Sequence, residues 1–414
     1  LLIRVKSAYR DSNVLRWLVA YTASSVGDSS YFLTLGWAAS KVVGPAQVGL
    51  VLAVGAVPRA LLMLGGGVFA DRFGPRKVVI GSDALRCLVI VVVAADLAFT
   101  SPGLWLLIAV ALVFGVVDAL FMPAVGSLPP LISDPGQAVQ IQGMRAFAVR
   151  VGNSVGPPVA GLAIGLGSPA LAFGMAGGLF ALSFVLLLSV RIGRPAQVLA
   201  EVPGARPRAW RDLKAGLLYS RSNKLIATLV LSMVLVELGS MAPLSVGILL
   251  LVKTSGWGPS AAGIIIGAFG AGAGASAMLL STMRALPRSD ISYAATSVFG
   301  AIGIGLIVVA SRPFIAIFLA AFAGVALGLN GTLAYVFVQA VTKPEFLGRV
   351  MSLLSLVSFG LGPMSYPLYG IGVTAWGARP MFVVCAVIGM FAAVVAVYSL
   401  IRGYLPRQLG SENY

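Results

Sequence analysis

Eight ionisable side chains stand inside long apolar runs: Asp28, Arg59, Asp83, Arg86, Asp118, Arg145, Arg150 and Glu237. A charge at bilayer depth costs roughly 2.5–3.5 kcal/mol on insertion scales, so each needs a reason to be there. Four are acids and four are bases, which predicts pairing inside the protein. Asp28 and Arg59 read as one pair. It is either a static brace between helices or a carboxylate that takes a proton or touches substrate. Glu237 has no obvious basic partner in its half of the sequence. It is expected either to carry a proton or to line a cavity with no coupling role. Asp83 and Arg86 are three apart and share a helix face, where they are expected to support a gate near the cytoplasmic end. Asp118 is expected to meet Arg145 or Arg150. Those two are five apart and do not point the same way, and either one facing a cavity would suit an anionic substrate. Tyr31, Phe32 and Tyr366, with Trp37, Phe359 and Tyr369, are candidates for an amphipathic-substrate pocket, with packing as the alternative.

The elements that must position these residues follow from composition. The chain has 414 residues, 59% hydrophobic and 10% charged, with a mean hydropathy of +0.98. A water-soluble domain carries about 25% charged residues, so the solvent of this chain is mostly lipid. Apolar runs long enough to span fall at 14–40, 46–70, 78–99, 103–126, 141–166, 169–191, 225–252, 259–283, 291–311, 313–340, 348–374 and 380–402. These predict an all-α membrane protein of twelve transmembrane helices. Gly, Pro or charge punctuates the joints, as at Gly44-Pro45, Gly258-Pro259 and Arg379-Pro380.

A net charge of +16 suggests nucleic acid only until the bases are located. They sit in short loops. With the N-terminus inside and the spans alternating, the inner loops collect Arg72, Arg76, Lys77, Arg191, Arg208, Arg288, Lys343 and Arg407 among others. The outer loops hold only Lys41, Lys253, Arg312 and Arg379. That bias places both termini in the cytoplasm. The two cysteines, Cys87 and Cys385, lie within spans, so neither a disulfide framework nor a metal site is expected, and no cofactor. There is no His, which leaves proton-linked chemistry to carboxylates. The basic, polar first ten residues predict no cleavable signal peptide. No phosphate-binding Gly-x-x-x-x-Gly-Lys-Ser/Thr loop is present, so ATP-driven transport within this chain is not expected, nor is an enzyme.

The sequence divides at its longest polar stretch. Residues 1–190 form one expected six-helix bundle, 191–224 a cytoplasmic linker, and 225–414 a second bundle. Within the linker, Trp210 to Tyr219 reads as a short amphipathic helix. It either rests on the inner leaflet, with Arg211 and Lys214 toward headgroups, or is plain solvated chain. Gly156-Pro157-Pro158 is echoed by Gly362-Pro363, 206 residues later, and Asp28 by Glu237, 209 residues later. Such echoes imply a duplicated unit, which typically places the substrate site near the bilayer midplane between the halves. Gly263, Gly267, Gly270 and Gly274 are expected to pack helices closely.

After the second span runs Gly67-Val-Phe-Ala-Asp71-Arg72-Phe-Gly74-Pro75-Arg76-Lys77. It resembles the signature loop of the major facilitator superfamily, Gly-x-x-x-Asp-Arg-x-Gly-Arg-Arg/Lys, with Pro75 where a base is usual. The resemblance implies a gate element at Gly67, Asp71, Arg72, Gly74 and Arg76. Asp71 would face the N-terminal end of span eleven near Gly348 and Arg349. Gly152-Asn-Ser-Val-Gly156-Pro157-Pro-Val-Ala-Gly161 is similar to that superfamily's antiporter motif. With Gly27-Asp28, Asp83-Ala-Leu-Arg86 and Leu347-Gly-Arg349, it resembles the drug:proton antiporters that include macrolide and enterobactin exporters. The implied activity is proton-coupled export of a small amphipathic compound by a monomer in a bacterial-type inner membrane, with no nucleic-acid partner. Nutrient uptake, lysolipid movement and a transport-inactive sensor or scaffold are the alternatives. Span four lacks the buried arginine common in such exporters, and the second half lacks a good copy of the loop.

Overall fold

The computed structural model describes residues 8–100, 103–133, 135–192, 209–282 and 289–402, and every regular element among them is a helix. The first half runs α1 (Ser12–Val42), α2 (Pro45–Phe73), α3 (Pro75–Phe99), α4 (Leu104–Ser127), the short α5 (Pro129–Ile132), α6 (Ala138–Leu166) and α7 (Pro169–Leu188). The amphipathic α8 (Ala209–Ser222) follows. Then come α9 (Lys224–Ala242), a π-turn at Pro243–Gly247, α10 (Ile248–Thr254), α11 (Gly258–Thr282), α12 (Ser289–Ile307) and α13 (Pro313–Val341). The last stretch is α14 (Pro344–Leu356), a second π-turn at Val357–Leu361, α15 (Gly362–Trp376) and α16 (Ala378–Ile401).

The breaks have local causes. The Asp11 carboxylate caps α1 by accepting from the Asn13 and Val14 amides, at 2.8 and 3.4 Å, and Asn223 does the same for α9. Pro75, Pro169, Pro313 and Pro344 open helices at positions where the missing N–H costs nothing. Gly377 turns the chain between α15 and α16 at φ +89°.

Among the described residues, nine helical runs are long and apolar enough to cross a membrane. The long helices α1 and α6 and the α14–α15 run lie outside that set. They carry Asp28, Arg145, Arg150, Asn153, Ser358 and Tyr366 among their apolar residues. The fold is an all-helical membrane protein.

Packing divides the chain into two compact units: Leu1–Val43 with Val54–Arg206, and Gly44–Ala53 with Pro207–Tyr414. The first nine residues of α2 thus belong with the second unit. There Gly49 lies against the Tyr366 carbonyl and Gly370 against the Pro45 carbonyl, so two backbones meet with no side chain between them.

Inside each unit the same neighbours recur. In the first, α3 packs on α4 and α7, and α1 on α6 and α7; in the second, α12 packs on α13 and α16, and α9 on α15 and α16. The close crossing of α2 on α4 is made by Gly55 against Ala111 and Gly115 against Gly55. That of α11 on α13 is made by Gly272 against Ala321 and Gly324 against Phe269. A side chain at any of these four glycines would overlap the facing backbone.

Candidate functional site

The first unit holds a buried ionic knot. Its foundation is the seam between α1 and α6. Gly152 abuts Ser25, and a Cβ on Gly156 would stand 2.7 Å from the Val26 carbonyl. The Ser30 hydroxyl donates to the Gly156 carbonyl at 2.9 Å. With Ser25 and Ser29 against α6, Ser24 and Asp28, four apart, share a face toward α3. On α3, Arg86 is completely buried. Its guanidinium binds Asp118 of α4, Asp83 of its own helix at 3.2 Å and Asp28 at 3.9 Å. Phe121 lies 4.2 Å from the guanidinium carbon and Phe180 5.6 Å, so aromatic faces complete the shell around the cation.

The three carboxylates are held differently. Asp83, fully buried, accepts from Ser24 at 3.1 Å and from Ser183 of α7. Asp118 takes the closest contact from Arg86 and a second ion pair from Arg59 at 3.7 Å. Asp28 is the loose member. Its side chain keeps 25% of its accessibility, and its Oδ1 is buried yet accepts no hydrogen bond among the described residues. Three carboxylates face two guanidinium groups. A proton arriving on Asp28 would leave Arg86 still bound to Asp83 and Asp118.

The second unit repeats the arrangement without charge. Asn330 of α13 donates to the Tyr293 carbonyl at 3.2 Å and to the Thr296 and Ser297 hydroxyls of α12 at 3.4 and 2.7 Å. Among the described residues of this unit, the carboxylate held inside the bundle is Glu237 on α9. Ser358 donates to it at 2.9 Å from within the π-turn Val357–Leu361, and Gly362 leaves room beside it. A π-turn shifts the register of a helix by one residue and recurs at functional sites. Here it delivers the serine to the carboxylate.

The remaining residues singled out from the sequence fall as follows. Asp28 and Arg59, expected as one pair, are joined in the same knot. Arg86 pairs with Asp28, and Arg59 pairs with Asp118. Asp118, expected on Arg145 or Arg150, binds across to α3 and α2 instead. Asp83 and Arg86, expected at a gate near a helix end, lie in the knot's centre, since Arg86 is three turns into α3. Arg145 is half-buried with its guanidinium carbon 5.9 Å from the Tyr21 ring centre, and Arg150 is half-buried in α6. Tyr31 is buried and stacks on Phe114 at 3.8 Å, with the half-buried Phe32 edge-on to it. The Tyr366 hydroxyl accepts from Ser245 at 3.2 Å. Pro157 and Gly161 are buried in α6.

In the loop after the second span, Gly74 caps α3 at φ +86°, a conformation that favours glycine. Arg76 donates to the Leu188 carbonyl at the end of α7 at 2.9 Å, capping that helix with a cation. Arg72 is exposed beside Phe73. The side chains of Gly67's neighbourhood and Asp71 lie outside the described residues, as does that of Phe359. Arg349 lies over the Phe346 ring at 5.5 Å. Four contributors were not singled out in advance: Ser24, Ser183, Ser358 and Asn330. A lone Asn in the apolar run of α13 was the clearest signal available for any of them.

The sequence matches the profile of the Major Facilitator Superfamily over residues 17–283. The chain belongs to that superfamily of membrane transporters. It is similar to the enterobactin exporter EntS of Shigella boydii serotype 18 (strain CDC 3083-94 / BS512), 22% identical over 344 residues and 80% of each chain. The EntS of Escherichia coli O81 (strain ED1a) is similar to the same extent. Among solved structures, a mutant of the nucleoside transporter NupG aligns with a TM-score of 0.74 and 13% identity, covering 94% of this chain and 99% of that one. A bacterial homologue of the human lysosomal transporter Spinster, inward-facing and occupied, aligns with a TM-score of 0.74 and 14% identity, covering 96% and 98%. At such identities the structural likeness speaks for the fold alone.

Proposed function

We propose that this chain exports a small amphipathic compound, of the antibiotic or siderophore kind, in exchange for protons moving inward, by alternating access. The observation that carries this proposal is Asp28: a carboxylate at span depth, partly accessible, with one oxygen that accepts no hydrogen bond among the described residues, at the edge of a knot with one more acid than base. Such a group is suited to take and release a proton while its neighbours stay in place. Glu237, held by a neutral serine, is the second proton site in this reading. Arg59, Phe32, Arg145, Arg150 and Tyr366 are proposed to border the substrate path, with the buried Tyr31 packed behind them against Phe114. The loop from Gly67 to Arg76, with Arg349, is proposed as the gate.

In this proposal α1, α6 and the α14–α15 run cross the membrane with the nine more apolar runs, giving twelve spans with both termini cytoplasmic. Their polar residues are what lowers their apolarity, and an interior path is what such residues serve. Export rather than uptake is favoured by the resemblance to enterobactin exporters, which also makes a catecholate siderophore the first substrate to try.

Reconstitution into proteoliposomes tests this. Flux of a catecholate siderophore or a macrolide should follow an imposed pH gradient and cease on its collapse. Asp28→Asn should retain the fold and lose gradient-driven flux. Full gradient-driven flux in both Asp28→Asn and Glu237→Gln would overturn the proton assignment.

A further inference from the structure

Only Asn223 separates the end of helix α8 from the apolar run that starts at Lys224, so its place is at the membrane surface. One side of it is fixed. Gly216 lies against α14, where a Cβ would stand 2.6 Å from the Arg349 carbonyl. The Tyr219 ring stacks on Phe346 with centroids 4.2 Å apart and planes within 3°. The Lys343 amide donates to the Tyr219 hydroxyl at 3.4 Å, and Ser220 is buried.

The other side has no such cover among the described residues. Lys214, Leu217, Leu218 and Arg221 follow one another at the spacing of a single helix face, and all four are exposed. Leu217 keeps 54% of its accessibility and Leu218 59%. Two leucines flanked by two cations suit neither water nor the hydrocarbon interior, and they match the boundary between acyl chains and headgroups. Charge points the same way. Residues 209–224 hold four bases, Arg211, Lys214, Arg221 and Lys224, against the single acid Asp212.

We propose that this face of α8 binds anionic phospholipid headgroups, and that lipid seated there steadies the start of α14 through the Tyr219–Phe346 stack. The consequence reaches Glu237 by covalent continuity, because α14 runs on into the π-turn whose Ser358 holds that carboxylate. The occupant is lipid rather than a protein partner, because the leucines sit beside a membrane helix and the cations flank them.

The test uses full-length protein in nanodiscs with Cys87→Ser and Cys385→Ala, carrying Leu218→Cys labelled with bimane. Brominated phosphatidylglycerol should quench the label more than brominated phosphatidylcholine at equal mole fraction. Lys214→Gln with Arg221→Gln should weaken that preference by about fivefold per cation removed. Equal quenching by both lipids overturns the headgroup site. No quenching by either means that water or protein covers the face, and overturns it too. Hydrogen exchange over residues 344–356 provides the second readout. It should slow in phosphatidylglycerol relative to phosphatidylcholine, and the difference should persist in Tyr219→Phe and vanish in Tyr219→Ala. Exchange indifferent to lipid in the parent protein would refute the link to α14.

Discussion

Asp118 on α4 and Asn330 on α13 hold corresponding stations in the two units. Each reaches from one helix to the next, Asp118 to the guanidinium of Arg86 and Asn330 to the hydroxyls of Thr296 and Ser297. Around them, Ser24 of α1 donates to Asp83 of α3, and Ser232 of α9 donates to the Ala392 carbonyl of α16. One unit fills this position with charge and the other with amides and hydroxyls. The physical demands on the two are therefore different, and measurements can separate them.

Removing Asn330 leaves the Thr296 and Ser297 hydroxyls with their own carbonyl acceptors, at 2.8 and 3.0 Å. Asn330→Leu should therefore cost about 1–2 kcal/mol. Asp118→Leu removes the closest partner of a fully buried cation, and breaking such a pair costs about 3–5 kcal/mol. Thermal unfolding in detergent should rank them in that order. Equal losses would contradict the contrast between a charged and a neutral knot.

Glu237→Gln keeps a carbonyl oxygen for the Ser358 hydroxyl and deletes the ionisable group. The variant should fold like the parent, and substrate exchange at equal pH on both sides should continue. Its response to a pH gradient should disappear. Retention of the parent's gradient response would remove Glu237 from the proton path.

Gly156→Val should strike the Val26 carbonyl and Ser29 across the α1–α6 seam. Overpacking of this kind costs about 1–3 kcal/mol or more where backbone faces backbone. Because that seam also orients Asp28, gradient-driven flux should fall further than the loss of folded protein accounts for. Flux normalised to folded protein by size-exclusion chromatography decides this.

Tyr31 is buried in a stack with Phe114, which favours packing over substrate contact for its ring. Tyr31→Ala should lower stability by about 3–5 kcal/mol, the usual loss for a large buried aromatic. Tyr31→Phe should leave both stability and flux near parental values. Impaired flux in a stable Tyr31→Phe protein would show that the hydroxyl itself takes part.

The helices were legible because apolar runs, prolines and Gly74 announce their own boundaries, and Asp28 and Glu237 were legible because lipid makes buried acids conspicuous. The partners of those acids were not. Sequence spacing pairs residues along one helix, as with Asp83 and Arg86. It carries no record that α3 lies between α1, α4 and α7, and that order is what puts Arg86 within reach of three carboxylates. The glycines show the same limit. Gly263, Gly267 and Gly270 of the expected run are buried, and the spacing did not mark out Gly272, which meets the Ala321 backbone of α13. Only the partner helix reveals which turn faces it. The neutral knot leaves little trace in the sequence, because hydroxyls are cheap enough in an apolar helix to look incidental. Ser358 escaped because an ordinary α-helical register does not include the π-turn that presents it.

The approach of α2 to α15 at Gly49 and Gly370 involves main chain on both sides. Glycine has no rotamers to freeze, so joining these surfaces imposes almost no side-chain entropy cost, and parting them returns almost none. The seam works like two flat faces rather than interlocking teeth. At these two positions the fit rests on main-chain contact alone, which leaves no space for an added atom. A single methyl group at Gly49 or Gly370 would be enough to hold it ajar.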